Sequence, residues 1–470
     1  LQRKSWTLLI NICLVITLTA NNARGQVNFS ITSSNITQTS LTVDNPTTVY
    51  TAPLVALAPT ITLKSTTGGT LTKTGGGTGV SVSLFSAKII GSGGSLLNLL
   101  GTTPTITLSS TPQSIYTSVL TALPSGALNF RYTLSGVNTT TWLAGSYTSD
   151  LTFAASAVLT NPGTLSPTVG SLNLNVAAFI TASGLPASMS LTVTSLDFYR
   201  SSTLSGTYSI ATTTTVPYGI RLKNSASTFT YSNGYSGAPN PNTATTLMTG
   251  QMTAPSTGTA ITGGSSFNNL ATGLAVPTNN AQTSTITLSI KPADLKSGFT
   301  QKGTYTTNVN YEVFDSQTTP LATTQAFSCP LTITVNDLSE LKVNQTDINL
   351  NYNTSSDYTN GVFADANGHI TLSNTNPYDV YVKASSTTLT NGANTLPVGV
   401  ITISPTPASA GSFSTVSLSA TAQKIISASS PIIDRTLNVR YAIPAANSAQ
   451  LLGKPAGTYN TTVTYSLIAP

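Results

Sequence analysis

Gly457-Thr-Tyr-Asn-Thr-Thr-Val-Thr-Tyr465 puts Tyr459, Thr461, Val463 and Tyr465 on one alternation and Asn460, Thr462 and Thr464 on the other. Successive side chains of a strand point to opposite faces, so a period of two reads as a half-buried strand. Leu467 and Ser466 carry the same alternation onward. The pattern Gly-Ser/Thr-Tyr-x-x-x-Leu/Val-x-Phe/Tyr recurs from Gly145 to Phe153 and from Gly303 to Tyr311. Recurrence at this spacing marks an array of like units.

Other blocks repeat in the same order. Ile106-Thr-Leu-Ser-Ser-Thr-Pro-Gln-Ser-Ile115 matches Val416-Ser-Leu-Ser-Ala-Thr-Ala-Gln-Lys-Ile425, and each is followed by Leu-Asn-x-Arg-Tyr, at 128–132 and 437–441. Pro217-Tyr-Gly-Ile-Arg-Leu-Lys223 matches Pro377-Tyr-Asp-Val-Tyr-Val-Lys383. Gly and Pro punctuate short alternating runs, and no helical apolar period is sustained, which predicts an all-β chain. The expected architecture is three tandem antiparallel β-sandwich modules of immunoglobulin-like or pilin-like type: 26–175, 176–337 and 338–470. Residues 232–283, rich in Ser, Thr, Asn and Gly, are expected as a long exposed loop of the second module. Asn367-Gly368 predicts a two-residue hairpin turn. Ordered repeats, with aromatic residues at only 7%, favour tandem modules over a membrane barrel.

Residues 1–25 read as a signal peptide: Arg3 and Lys4, then an apolar run from Trp6 to Ala20, then Ala23-Arg24-Gly25. The formal charge of +6 overstates the processed chain, because Arg3, Lys4 and Arg24 leave with that segment. Charged residues make up 7% of the chain, far below the usual quarter. No basic stretch interleaved with aromatics suggests nucleic acid, and no membrane span follows the signal. Cys13 lies in the signal, so Cys329 has no disulfide partner within a processed chain. A Thr-rich, bridge-free exported chain of this length reads as bacterial.

The catalytic inventory is thin. His369 is the single histidine and follows the Asn-Gly pair, so it reads as a hairpin residue. Cys329 sits on an apolar strand face and reads as an inert thiol. Asp357 and Asp365 head turn-like segments that lack the later Glu of a calcium loop. No catalytic residue, metal site or cofactor is expected. Tyr231-Ser-Asn-Gly-Tyr235 offers two aromatic faces among amides and hydroxyls, which suits a glycan contact through Tyr231 and Tyr235. Gln26-Val-Asn-Phe-Ser-Ile31 has two readings: the first strand of its own module, or a donor strand completing a neighbour's sheet.

The closing stretch Pro455-Ala-Gly-Thr-Tyr-Asn-Thr-Thr-Val-Thr-Tyr-Ser-Leu-Ile-Ala-Pro470 resembles the C-terminal strand of spore-coat-protein-U-type and pilin-like secreted domains. It is also similar to the end of WxL surface domains, with Tyr465 where those carry Trp. The resemblance implies exported β-sandwich modules used in surface fibres, adhesion or wall attachment. The expected protein is therefore a non-enzymatic cell-surface or secreted protein, acting in adhesion or as a fibre subunit. Its expected partners are a glycan or host-matrix ligand and further subunits joined by strand addition. The alternatives are a secreted carbohydrate-active enzyme with sandwich accessory modules, which needs paired carboxylates in a cleft, and a passive coat module.

Overall fold

The computed structural model describes residues 25–52, 58–92, 101–118, 125–158, 161–406 and 413–469. The expected signal peptide, apart from Gly25, lies outside the described residues. Within them the chain is all-β, its longest helix being the seven-residue Pro292–Gly298. The strands behave as their alternation predicts. Along Gly303–Asp315, every second residue is buried from end to end, as a strand between core and solvent requires.

Among the described residues seven sheets form, and the buried apolar side chains gather into three clusters. The first cluster is shared by two sheets. One runs Gln26–Ile31, Val169–Val176, Gly145–Ser156, Thr60–Ser65 and Gln113–Ser118; the other is built on Ser40–Thr51, Gly126–Ser135 and Phe85–Ser92. The second pair has Met189–Val193, Gln325–Val335, Gly303–Asp315 and Tyr218–Asn224 in one sheet. Ile180–Ser183, Leu204–Thr214, Ala281–Ile290 and Thr249–Ala254 form its partner. In the third pair, Ser339–Val343, Gly361–Asn374, Ile432–Pro444 and Thr402–Pro405 face a sheet of three strands only: Gln423–Ser429, Tyr378–Ala384 and Val463–Ile468.

The repeated blocks occupy matched places in this topology. Tyr218–Asn224 and Tyr378–Ala384 each pair with the Gly-x-Tyr strand of their own sheet. Arg131 and Arg440 of the two Leu-Asn-x-Arg-Tyr blocks lie directly across from Asp44 and Asp365. Each guanidinium grips its carboxylate through two bonds of 2.6–2.8 Å. Such exposed pairs add at most about 1 kcal/mol, but they fix cross-strand register twice over.

Three expectations need correction. The sandwiches are not wholly antiparallel, because Gln26–Ile31 runs parallel to Val169–Val176 and Met189–Val193 runs parallel to Gln325–Val335. The first of these pairings agrees with the reading of Gln26–Ile31 as the first strand of its own sheet and not with the donor-strand alternative. Asn367-Gly368 makes no hairpin. It lies inside the continuous strand Gly361–Asn374 as a register-shifting bulge, with Gly368 at φ +63° and its N–H donated to Asn438 Oδ1 at 2.7 Å. A two-residue primed turn needs positive φ at both positions, and only Gly368 supplies it. Residues 232–283 are not one long loop: Thr249–Ala254, Ile261–Thr262 and Asn268–Leu274 join the second pair of sheets. Met248, Met252 and Leu270 are buried there, so three sparse apolar anchors suffice once the backbone is paired.

Two junctions tie successive sheet pairs together. At the first, Asn280 is fully buried, its side chain accepting the Trp142 N–H at 2.8 Å and donating to the Trp142 and Thr214 carbonyls at 2.7 Å. At the second, Arg200 pairs with Glu340 and Asp434, and Lys296 also reaches Asp434. Ile433 inserts into the second cluster beside them.

Candidate functional site

The Gly-x-Tyr motif has a common local geometry. Gly145, Gly303 and Gly457 adopt φ of +143°, +144° and +147°, a region that side chains other than hydrogen rarely enter. Two residues on, Tyr147, Tyr305 and Tyr459 each donate the hydroxyl to a carbonyl four residues upstream, Leu143, Gln301 and Pro455, at 2.7, 2.8 and 2.9 Å. This is the tyrosine-corner arrangement of immunoglobulin-like sandwiches. The motif marks the entry of one strand in each of the three sheet pairs.

Beyond that corner the third copy differs. Gly145–Ser156 is followed by Val169–Val176, and Gly303–Asp315 by Gln325–Val335, each lying antiparallel beside it. Val463–Ile468 pairs with Tyr378–Ala384 on one side, and among the described residues no strand pairs its other edge. Regular strand there begins only at Val463, six residues after Gly457, whereas the first two copies are strand from the glycine onward. Burial follows pairing. Tyr147 and Leu151 are 1% and 0% exposed, as are Val309 and Tyr305, while Tyr459, Val463 and Leu467 are only half-buried and Ile468 is 49% exposed.

A second unpaired segment belongs to the same position. In the first two sheet pairs the far edge of the strand after the Gly-x-Tyr strand is covered by Val27-Asn-Phe-Ser-Ile31 and Met189-Ser-Leu-Thr-Val193. Ile348-Asn-Leu-Asn-Tyr352 has the same alternation. It begins nine residues after Ser339, as Met189 begins nine after Ile180, where the matched strands start. Its apolar side chains rest half-buried against the third cluster, yet it joins no sheet. Among the described residues, neither the outer edge of Val463–Ile468 nor residues 348–352 is joined by a strand. The alternation of 348–352 alone does not single it out in the sequence; the signal that finds it is its offset from Ser339, matched to that of Met189 from Ile180.

The residues singled out from the sequence fall elsewhere. Tyr231 lies in the short strand Thr230–Ser232, opposite Tyr305, with ring centroids 5.0 Å apart and its hydroxyl donated to the Lys302 carbonyl at 2.6 Å. Tyr235 is half-buried nearby, and desolvation with the neighbouring Tyr231 pushes its phenol pKa up. His369 is buried under the bulge, not on a hairpin. Its Nε2 is 2.9 Å from Tyr441 Oη, which bonds Tyr465 Oη at 2.5 Å. Burial depresses its pKa. Cys329 is buried, which raises its thiol pKa. Asp365 pairs with Arg440, Glu312 with Arg221 and Asp337 with Lys302. Asp357 caps Ser355–Asn360, and Asp315 accepts the N–H groups of Gln317, Leu321 and Ala322.

No protein-family model and no curated protein matches the sequence. Among solved structures the chain is similar to the CsuC–CsuE chaperone–tip adhesion subunit complex of Acinetobacter baumannii Csu pili, at 13% identity and TM-score 0.30, covering 61% of this chain and 99% of that one. It is similar to the CupB6 tip adhesin from Pseudomonas aeruginosa, at 10% identity and TM-score 0.29, covering 63% and 91%. The CooA pilin subunit from enterotoxigenic Escherichia coli matches at 14% identity and TM-score 0.23, covering 34% and 99%. No helix among the described residues is long and apolar enough to cross a membrane.

Proposed function

We propose that the chain is a non-enzymatic, exported bacterial surface protein of three tandem β-sandwich modules, 26–175, 176–337 and 338–470. In this reading it acts in adhesion or as a fibre subunit, and it joins further subunits by strand addition. The observation that carries the reading is the Gly-x-Tyr corner, recurring with the same hydroxyl-to-carbonyl bond at one strand entry in each of the three sheet pairs. An unpaired edge is a template for strand addition. Engagement of His369, Cys329 and many of the acids in packing, caps and ion pairs supports the non-enzymatic side.

Two measurements test it. Titration of the purified full chain with the synthetic ten-residue peptide 168–177, which spans its own Val169–Val176 strand, should give saturable binding and raise the unfolding temperature of the third module. Absence of both sinks the strand-accepting role. Binding to cells, matrix and a glycan array tests adhesion. Loss of a glycan signal on Tyr235→Ala, with Tyr231→Phe as the structurally mild companion, would assign that contact to this loop. A chain that binds none of these surfaces fits a passive fibre subunit instead.

A further inference from the structure

We propose that the outer face of Tyr218–Asn224, Gly303–Asp315 and Gln325–Val335 binds an acidic sugar, Lys223 taking its carboxylate and Phe267 the apolar face of its ring. This rests on the adhesion reading above and adds a site and a ligand class to it.

The alternation that buries Leu222, Tyr311 and Cys329 turns their neighbours outward. Ladder register then sets two rows across the sheet. Arg221, Glu312 and Ala326 form one, and Lys223, Asn310 and Ser328 the next. Beside the first row the Phe314 ring lies where a Cβ of Gly219 would stand. Arg221 is held by two rings, its guanidinium carbon 4.8 Å from the centroids of Phe267 and Phe314. Its Nε donates to Glu312 at 2.7 Å. These contacts use up the charge of Arg221 and fix Phe267 as one wall of a shallow hollow of about 360 Å³. Lys223, Asn310, Glu312, Ala326 and Ser328 also line it. Lys223 Nζ stands 4.5 Å from the Phe267 centroid and has no carboxylate partner among the described residues. The side chains of Asn310 and Ser328 make no hydrogen bond among them either.

The hollow therefore joins one uncompensated positive charge, one aromatic wall and several free hydrogen-bonding groups over a floor of small side chains. A pyranose bearing a carboxylate meets all three. Its C–H face rests on the ring, and its hydroxyls bond Asn310, Ser328 and Glu312. The charge-assisted bond to Lys223 favours it over a neutral sugar. The volume lies at the small end of the range for such ligands, about 300–1,000 Å³. An acidic peptide fits less well. Gly303–Asp315 is paired on both edges through this stretch, so the backbone has no ladder to offer. The site is also separate from Tyr231, which lies on the core-facing side opposite Tyr305, about 17 Å along the strand from Asn310.

Calorimetric titration of the full chain tests the site. The probes are hexasaccharides of hyaluronan, polygalacturonate and polysialic acid, with chitohexaose as the neutral sugar and hexaglutamate as the acidic peptide. At least one acidic hexasaccharide should bind at least about tenfold tighter than chitohexaose. Lys223→Gln should remove that preference, and Phe267→Leu should weaken binding about fivefold. Ser328→Tyr, at an exposed position on the floor, should block the hollow with both cations left in place. Tyr235→Ala and Lys88→Gln should change nothing. If Phe267→Leu lowers the unfolding temperature, Lys223→Gln and Ser328→Tyr decide. A chain that adheres to cells or matrix but binds no acidic hexasaccharide at millimolar concentration overturns the site and keeps the adhesion reading; failure of both overturns both. Equal binding of chitohexaose overturns the acidic class, and equal binding of hexaglutamate overturns the sugar. Equal loss on Lys88→Gln, or loss on Tyr235→Ala, overturns the location.

Discussion

Replacing Tyr305 and Tyr459 by phenylalanine, one at a time, removes the same hydroxyl from two equivalent corners in different surroundings. The Tyr305 hydroxyl reaches the Gln301 carbonyl at 2.8 Å in a buried site. Removing it strands that carbonyl away from water, which costs about 1–3 kcal/mol. The Tyr459 hydroxyl reaches the Pro455 carbonyl at 2.9 Å in an exposed one. Water replaces the lost bond there, leaving a cost of about 0.5 kcal/mol or less. Neither change opens a cavity, since phenylalanine keeps the ring. Local opening free energies from hydrogen exchange, read on peptides covering each corner, separate the two because sub-global units open independently of a single global melt. Tyr305→Phe should raise the opening constant about tenfold or more near Gly303–Asp315, while Tyr459→Phe changes its own region less than about threefold. Equal costs would mean that the Tyr459 corner is as enclosed as the Tyr305 corner, and the half-buried side chains of the third copy would not explain its energetics.

Three further outcomes follow from the packing. Asn280→Ala leaves the Trp142 N–H and the Trp142 and Thr214 carbonyls without their buried partner; a loss of about 3 kcal/mol or more is expected in urea unfolding of the first two sheet pairs. His369, whose pKa burial depresses, is neutral in both states above the ordinary imidazole value of about 6.5, so stability is full there. As pH falls below it the unfolded chain binds a proton that the folded one refuses, and the third sheet pair loses up to about 1.4 kcal/mol per pH unit; His369→Phe should flatten that slope in urea titrations. Arg200→Ala removes the ion pairs to Glu340 and Asp434, costing about 1 kcal/mol or less. Small-angle scattering should show a wider range of angles between the second and third sheet pairs, and added salt should reproduce part of that change in the unaltered chain.

What was legible in the sequence was local and periodic. The alternation at Tyr459, Val463 and Tyr465, the Pro-Tyr strands at 217 and 377, and the Arg131 and Arg440 blocks all survive because a strand face is written in every second residue. Pairing is not written that way. Ile348-Asn-Leu-Asn-Tyr352 reads the same whether a neighbour is present or missing, since the partner's register is a non-local fact. Asn367-Gly368 misled for a related reason: one positive φ serves a bulge as well as a turn, and Asn438 decided between them from seventy residues away. Tyr231-Ser-Asn-Gly-Tyr235 reads as free aromatic surface because nothing local announces that Tyr305 and Lys302 stand against the first ring.

The Asn280 clamp has a mechanical meaning. It joins the backbone at Trp142 to the backbone at Thr214 with no solvent at the joint, so tension on one end of the chain cannot be absorbed there by a slack linker. A pull on the second sheet pair would be passed to the first through these buried bonds.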